Sequence, residues 1–140
     1  MFNPSRDQAR RFLSEAWRKH CEKLPATPLE TLAADLVVLH PEYHALLRDE
    51  AALRRDWTSE DGAMNPFLHL SLHLAIEEQL SIDQPPGIRA AFETRLARGG
   101  DRHAALHDLL ECLGETLWRA QRDGRPPDGA AYLDCIRRRG

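Results

Sequence analysis

The chain has 140 residues, 42% of them hydrophobic and 29% charged, with a formal net charge of -3. That is one domain's length, with enough apolar material for a core and a mean hydropathy of -0.53. The acidic balance argues against nucleic acid as the main partner, no apolar run approaches a membrane span, and the opening MFNPSRDQARR lacks the apolar stretch of a secretory signal.

Proline, glycine and capping residues divide the sequence into helices. Asn3-Pro4 reads as an N-cap with proline at the first helical position. The helix that follows carries Ala9, Phe12, Leu13, Ala16 and Trp17 at three-four spacing and ends near Cys21. Its basic residues, Arg6, Arg10, Arg11, Arg18, Lys19 and Lys23, read as a solvated face, and Arg137 to Arg139 as a frayed tail. Thr27-Pro28-Leu29-Glu30 is a capping box that starts a second helix with Leu29, Leu32, Leu36 and Leu39 on one stripe. Pro41 breaks it, and a short helical piece is expected from Glu42 to about Leu53.

After the loop TSEDGAMNP, Asn65-Pro66 opens a helix to about Ser81. Its alternation of Leu68, Leu70, Leu72 and Leu74 is also a strand pattern, but length, leucine content and the Asn-Pro start favour helix. Asp83 to Gly87 connects to a helix with Ile88, Ala91, Phe92 and Leu96, stopped by Gly99-Gly100. Asp101 caps a helix with Leu106, Leu109, Leu110, Leu113 and Leu117 that ends before Gly124. Asp128 caps a last one with Tyr132, Leu133 and Ile136. The expected fold is all-α, a single compact antiparallel bundle of about six helices spanning residues 1–140.

Cys21, Cys112 and Cys135 are odd in number and lack C-x-x-C spacing, so a disulfide framework is not expected and a reducing cytoplasm fits. Cys112 reads as a small buried residue. Trp17, Trp57 and Trp118 read as core or interface residues.

The chemistry sits in the histidines. Six of seven fall into three His-x-x-x-His pairs: His40/His44, His69/His73 and His103/His107. Random placement would give about 0.3 such pairs. Two pairs continue with a carboxylate one turn later, giving His69, His73, Glu77 and His103, His107, Glu111. Spacing of four puts side chains on one helix face, where two imidazoles can hold one metal ion. On a helical wheel, His69, His73 and Glu77 fall inside the buried arc of Leu68, Leu70, Leu72, Leu74, Ile76 and Leu80, and a buried carboxylate beside two imidazoles is costly unless paired or ligated. His107, Glu111 and His103 form the second half-site, with Gly114 placed to admit another helix. His40 and His44 form the weakest pair, because Pro41 turns the chain between them. His44 also suits a helix end.

This donor set suits a divalent transition metal, iron or zinc first, with a position open to a small molecule. The construction is like that of hemerythrin-type bundles, without the Glu-x-x-His motif of carboxylate-bridged ones. The competing expectation is a non-catalytic interaction module. Its histidines would form a buried hydrogen-bonded network, and the Trp57 loop or the basic first helix would meet a partner. No catalytic residue stands out.

The segments HPEYH (40–44), NPFLHLSLHLAIEEQ (65–79), QPPGIRAA (84–91) and ECLGE (111–115) resemble the bacterial DUF 1841 family of small proteins without an assigned function. The resemblance runs through nearly the whole chain. It implies a bacterial cytoplasmic protein and brings no catalytic residues with it.

Overall fold

Side-chain caps start most of the helices, and the residues between them decide which faces are buried. The structure is a computed structural model that describes residues 6–55 and 65–140. The Asn3-Pro4 cap and the Trp57 loop lie outside the described residues. Among those described, every regular element is helical. They are α1 (Arg6–Glu22), α2 (Pro28–Val38), α3 (Glu50–Arg54), α4 (Pro66–Ile82), α5 (Ile88–Ala97), α6 (Arg102–Asp123) and α7 (Gly129–Arg138). Single 3-10 turns occupy Pro41–Tyr43 and Leu46–Arg48. The fold is all-α, and the leucine alternation of α4 is helical. Packing divides the chain within α4 into two units, Met1–Leu74 and Ala75–Gly140.

In the first unit, Leu13, Ala16 and Trp17 of α1 pack with Ala33 and Val37 of α2, Leu47, Leu53, and Phe67 and Leu70 of α4. The Thr27 capping box forms in full: Thr27 Oγ1 accepts the Glu30 N–H at 3.1 Å, and Glu30 accepts the Thr27 N–H at 2.9 Å. The leucine stripe expected on α2 is not its buried face. Leu29 and Leu39 are half exposed, at 51% and 52%, while Ala33, Ala34, Leu36 and Val37 are buried. Small residues explain the rotation. Ala33 and Ala16 belong to the same core, where small side chains let two helices approach, and Lys19 of α1 holds Glu30 of α2 at 2.8 Å. Leu68, expected in the buried arc of α4, is also exposed.

The basic face of α1 is not wholly solvated either. Arg10 is buried, and its Nη1 donates to the carbonyls of Leu53 (3.0 Å) and Arg55 (2.8 Å) at the end of α3. Its guanidinium lies 4.8 Å from the centre of the Phe67 ring. The stretch expected as one helix from Glu42 to Leu53 is two 3-10 turns and a short α3. Asp49 interrupts it by taking the Ala51 N–H at 2.9 Å as an N-cap. Asn65 caps α4 as expected, accepting the N–H of Phe67 at 2.9 Å.

In the second unit, α7 packs against α5 and α6. Its core is drawn from Ile76, Ile88, Ala91, Phe92, Leu106, Leu109, Leu110, Leu133 and Ile136. Asp101 and Asp128 cap α6 and α7 by accepting from Ala104 (2.7 Å) and Ala131 (3.0 Å). The buried face of α6 stops at Leu113. Leu117 and Trp118 in its last turns are exposed, so Trp118 is not a core residue.

Cys112 and Cys135 form a disulfide between α6 and α7, with Cα atoms 5.8 Å apart. This corrects the expectation drawn from the odd count: the leftover cysteine is Cys21, which is exposed, and the other two face each other across adjacent helices. Cysteine usage therefore carries no argument for a reducing compartment. No helix among the described residues is long and apolar enough to cross a membrane.

Candidate metal centre

The site begins with a missing hydrogen. In an α-helix the carbonyl of residue i accepts from the N–H of residue i+4. For Val37 that residue is Pro41, which has no N–H. His44 supplies a substitute: its Nε2–H donates to the Val37 carbonyl at 2.8 Å. The helix also tightens at its end, so the His40 backbone N–H goes to Val37 at 2.9 Å instead of to Leu36. The Leu36 carbonyl, which accepts the Leu39 N–H at 3.2 Å, also receives the His40 ring, whose Nδ1–H donates to it at 2.7 Å. Both histidines of HPEYH thus serve the C-terminus of α2.

That second bond fixes the tautomer of a neutral His40 ring. A carbonyl only accepts, so Nδ1 carries the proton and neutral His40 turns the lone pair of Nε2 outward. Nε2 of His40 lies 3.1 Å from Nε2 of His69 on α4. His73, one turn further along α4, is fully buried. Its ring centre is 4.9 Å from those of both His40 and His69. One nitrogen from each of the three rings falls within 4.8 Å of the others. All three residues belong to the first unit.

Three converging imidazoles, one held by a backbone carbonyl, are the donor set and outer-shell orientation that zinc, iron, copper or nickel use. With metal–nitrogen bonds of about 2.0–2.1 Å, two ligand nitrogens sit roughly 3.3 Å apart at a tetrahedral angle and about 2.9 Å apart at a right angle. The His40–His69 separation lies between those values.

Sequence reasoning did not single out Tyr43, although it stands inside HPEYH. Its ring is parallel to His40 at 5.6 Å and edge-on to His69 at 5.8 Å. Burial, then the nearby charge of Glu42, raises its phenol above the usual tyrosine range. His44 lies against Trp17 at 4.3 Å and His20 against the same ring at 5.1 Å. His44 is therefore engaged as a cap and ring contact, and it does not join the three-histidine group.

The other residues predicted as ligands belong to the second unit. His103 and His107 lie against each other along α6, with ring centres 4.2 Å apart and planes tilted by 57°. Glu77 is held by the guanidinium of Arg102 at 3.0 and 3.2 Å, and Glu111 is exposed and paired with Arg139 at 2.7 Å. Arg102 answers the burial argument made for Glu77, since an ion pair satisfies a half-buried carboxylate as a metal would. A Cβ on Gly114 would meet nothing within 4 Å, so no other described residue makes the close approach expected there.

The family model described as domain of unknown function (DUF1841) matches residues 5–138. The chain belongs to that family. No curated protein and no solved structure matches it. Membership in DUF1841 covers nearly the whole chain and assigns no chemistry, so a function has to come from the site.

Proposed function

We propose that this DUF1841 protein binds a divalent transition metal, iron or zinc first, through His40, His69 and His73, and that a small molecule or water takes a remaining position. The observation that carries the reading is the His40 ring. Its Nδ1–H is committed to the Leu36 carbonyl, and its Nε2 faces His69 Nε2 at 3.1 Å. Burial of His40 and His73 adds support, because an apolar surround shields a metal–imidazole site from solvent. Three imidazoles leave room for a further ligand. His107, nominated by its spacing, is the first other side chain to substitute, followed by His103, Glu77 and Glu111. The test is elemental analysis of full-length protein purified without a metal-affinity tag. About one ion per chain is expected, lost in H40A and H73A. Equal metal in wild type and both variants would refute it.

One observation favours a second reading. The 3.1 Å separation also fits an N–H···N hydrogen bond from His69 to His40. The histidines would then be a metal-free core network in an interaction module. Thermal melting with and without chelator separates the two, since only a metal site loses stability on stripping.

A further inference from the structure

We infer that the Cys112–Cys135 disulfide is an exchange site, at which Cys135 accepts a small peptide-like thiol that carries carboxylates, of the glutathione class. A cleft of about 580 Å³ in the second unit is lined by the end of α6, the loop after it and α7. Cys135 lines this cleft and Cys112 does not. The two residues differ in exposure: Cys112 is fully buried, whereas Cys135 is half-buried. A nucleophile entering the cleft meets Cys135 first.

The cleft wall suits a zwitterionic thiol. Arg119, Arg122, Arg125, Arg138 and Arg139 line it together with Glu115, Asp123, Asp128 and Asp134. Arg119, Arg122 and Arg138 pair with Glu115, Asp123 and Asp134, and Arg139 with Glu111, all at or near the surface. Such pairs are weak and exchange readily with an incoming carboxylate. Arg125 makes no ion pair with any described residue. Carboxylates on the thiol bring it to the arginines, and their charge also favours its thiolate.

The step balances. The incoming thiolate forms a bond to Sγ of Cys135. The Cys135–Cys112 bond breaks, its electron pair leaves on Sγ of Cys112, and that sulfur takes a proton from water. Cys112, buried and 5.8 Å away at the Cα, stays placed to reverse the reaction. A second thiolate attacking the mixed disulfide releases the oxidised thiol and leaves the protein as a dithiol.

The test uses full-length protein with Cys21→Ser, which removes the exposed thiol. Wild-type cysteines 112 and 135 are opened with glutathione or with cationic cysteamine at equal thiolate concentration, followed by alkylation and intact mass. Glutathione should open the bond about tenfold faster at low salt, the advantage shrinking at high salt and in R125A. In parallel, C112S and C135S are exposed to oxidised glutathione. C112S should take one adduct at Cys135 and C135S none. Equal rates for the two thiols, or faster adduct formation at Cys112 than at Cys135, would overturn the proposal. The first arm keeps both disulfide cysteines and changes only exposed residues, and neither arm depends on a metal.

Discussion

The metal reading makes a quantitative demand on His73. An ion that binds the folded chain and not the unfolded one adds RT ln(1 + [M]/Kd), which is about 2.7 kcal/mol at a free metal concentration of 100 Kd. For a chain of this length each kcal/mol moves the melting temperature by about 3 °C, so saturating metal should raise it by about 8 °C. Little rearrangement opposes this. The His40 and His69 nitrogens at 3.1 Å need shift only a few tenths of an ångström, and the third nitrogen, within 4.8 Å of both, needs at most roughly 1.5 Å to reach ligand spacing. His73→Ala removes one of three donors and should abolish most of the increment, whatever it does to the metal-free protein. H69A, at a half-buried position, repeats the experiment where less packing is lost. Melting of chelator-treated wild type, H73A and H69A, each with and without added zinc or ferrous iron, gives the metal-linked term as a difference of differences. An increment below about 1 °C for wild type, or an equal increment in both variants, would refute the reasoning.

Arg10→Met keeps the apolar stem but removes two charge-assisted bonds to the end of α3, and should cost about 3 kcal/mol in urea unfolding; a loss under about 1 kcal/mol would show those carbonyls find other donors. Glu30 titrates below its ordinary value, chiefly through Lys19 and then the Thr27 N–H. Its contribution is therefore complete above the unfolded carboxylate pKa of about 4.3 and is lost as pH falls through the lower folded value. Stability of E30Q should vary less than wild type over that acidic window, and parallel curves would contradict this. Tyr132→Phe removes the bond from a buried hydroxyl to Gln79 Oε1 at 2.8 Å and should lower stability by about 1 kcal/mol. Pro41→Ala restores a backbone donor for the Val37 carbonyl, competes with His44 and lets α2 run on past His40. Far-ultraviolet circular dichroism should show equal or greater helix content while metal affinity falls, and unchanged affinity would separate the site from the helix end.

Helix starts were legible because each is written in a few adjacent residues. Thr27 with Glu30, Asn65 before Pro66, and Asp101 and Asp128 all cap as their sequence positions indicate. The buried faces were less legible. Hydrophobic spacing groups Leu29 and Leu39 on the apolar stripe of α2 and Leu68 on that of α4, but all three are exposed, and the buried face of α2 includes the small Ala33 and Ala34, which let a neighbouring helix come near. The disulfide was hidden for a related reason. An odd count says one cysteine is left over, not that none are paired, and the pairing of Cys112 with Cys135 depends on α6 lying beside α7.

For the site, spacing ranked the pairs by how well each could hold a metal alone, and on that measure HPEYH came last. The ranking assumed that ligands on one helix face matter most and that a proline between two histidines separates them to no purpose. The physical role of Pro41 is different. By withholding a hydrogen from Val37 it ends α2 in a tighter turn, where the Leu36 and Val37 carbonyls take the N–H groups of Leu39 and His40 and keep a second lone pair that an imidazole can fill from a side chain. His44 donates through Nε2, which satisfies the carbonyl. His40 donates through Nδ1, which in the neutral ring leaves Nε2 as the acceptor nitrogen, directed at His69. The same capping bond that finishes the helix selects the tautomer a metal ligand needs. Spacing finds residues that share a face, whereas this arrangement depends on which ring nitrogen meets which carbonyl. It is legible in the sequence only when the proline is read as an absent donor.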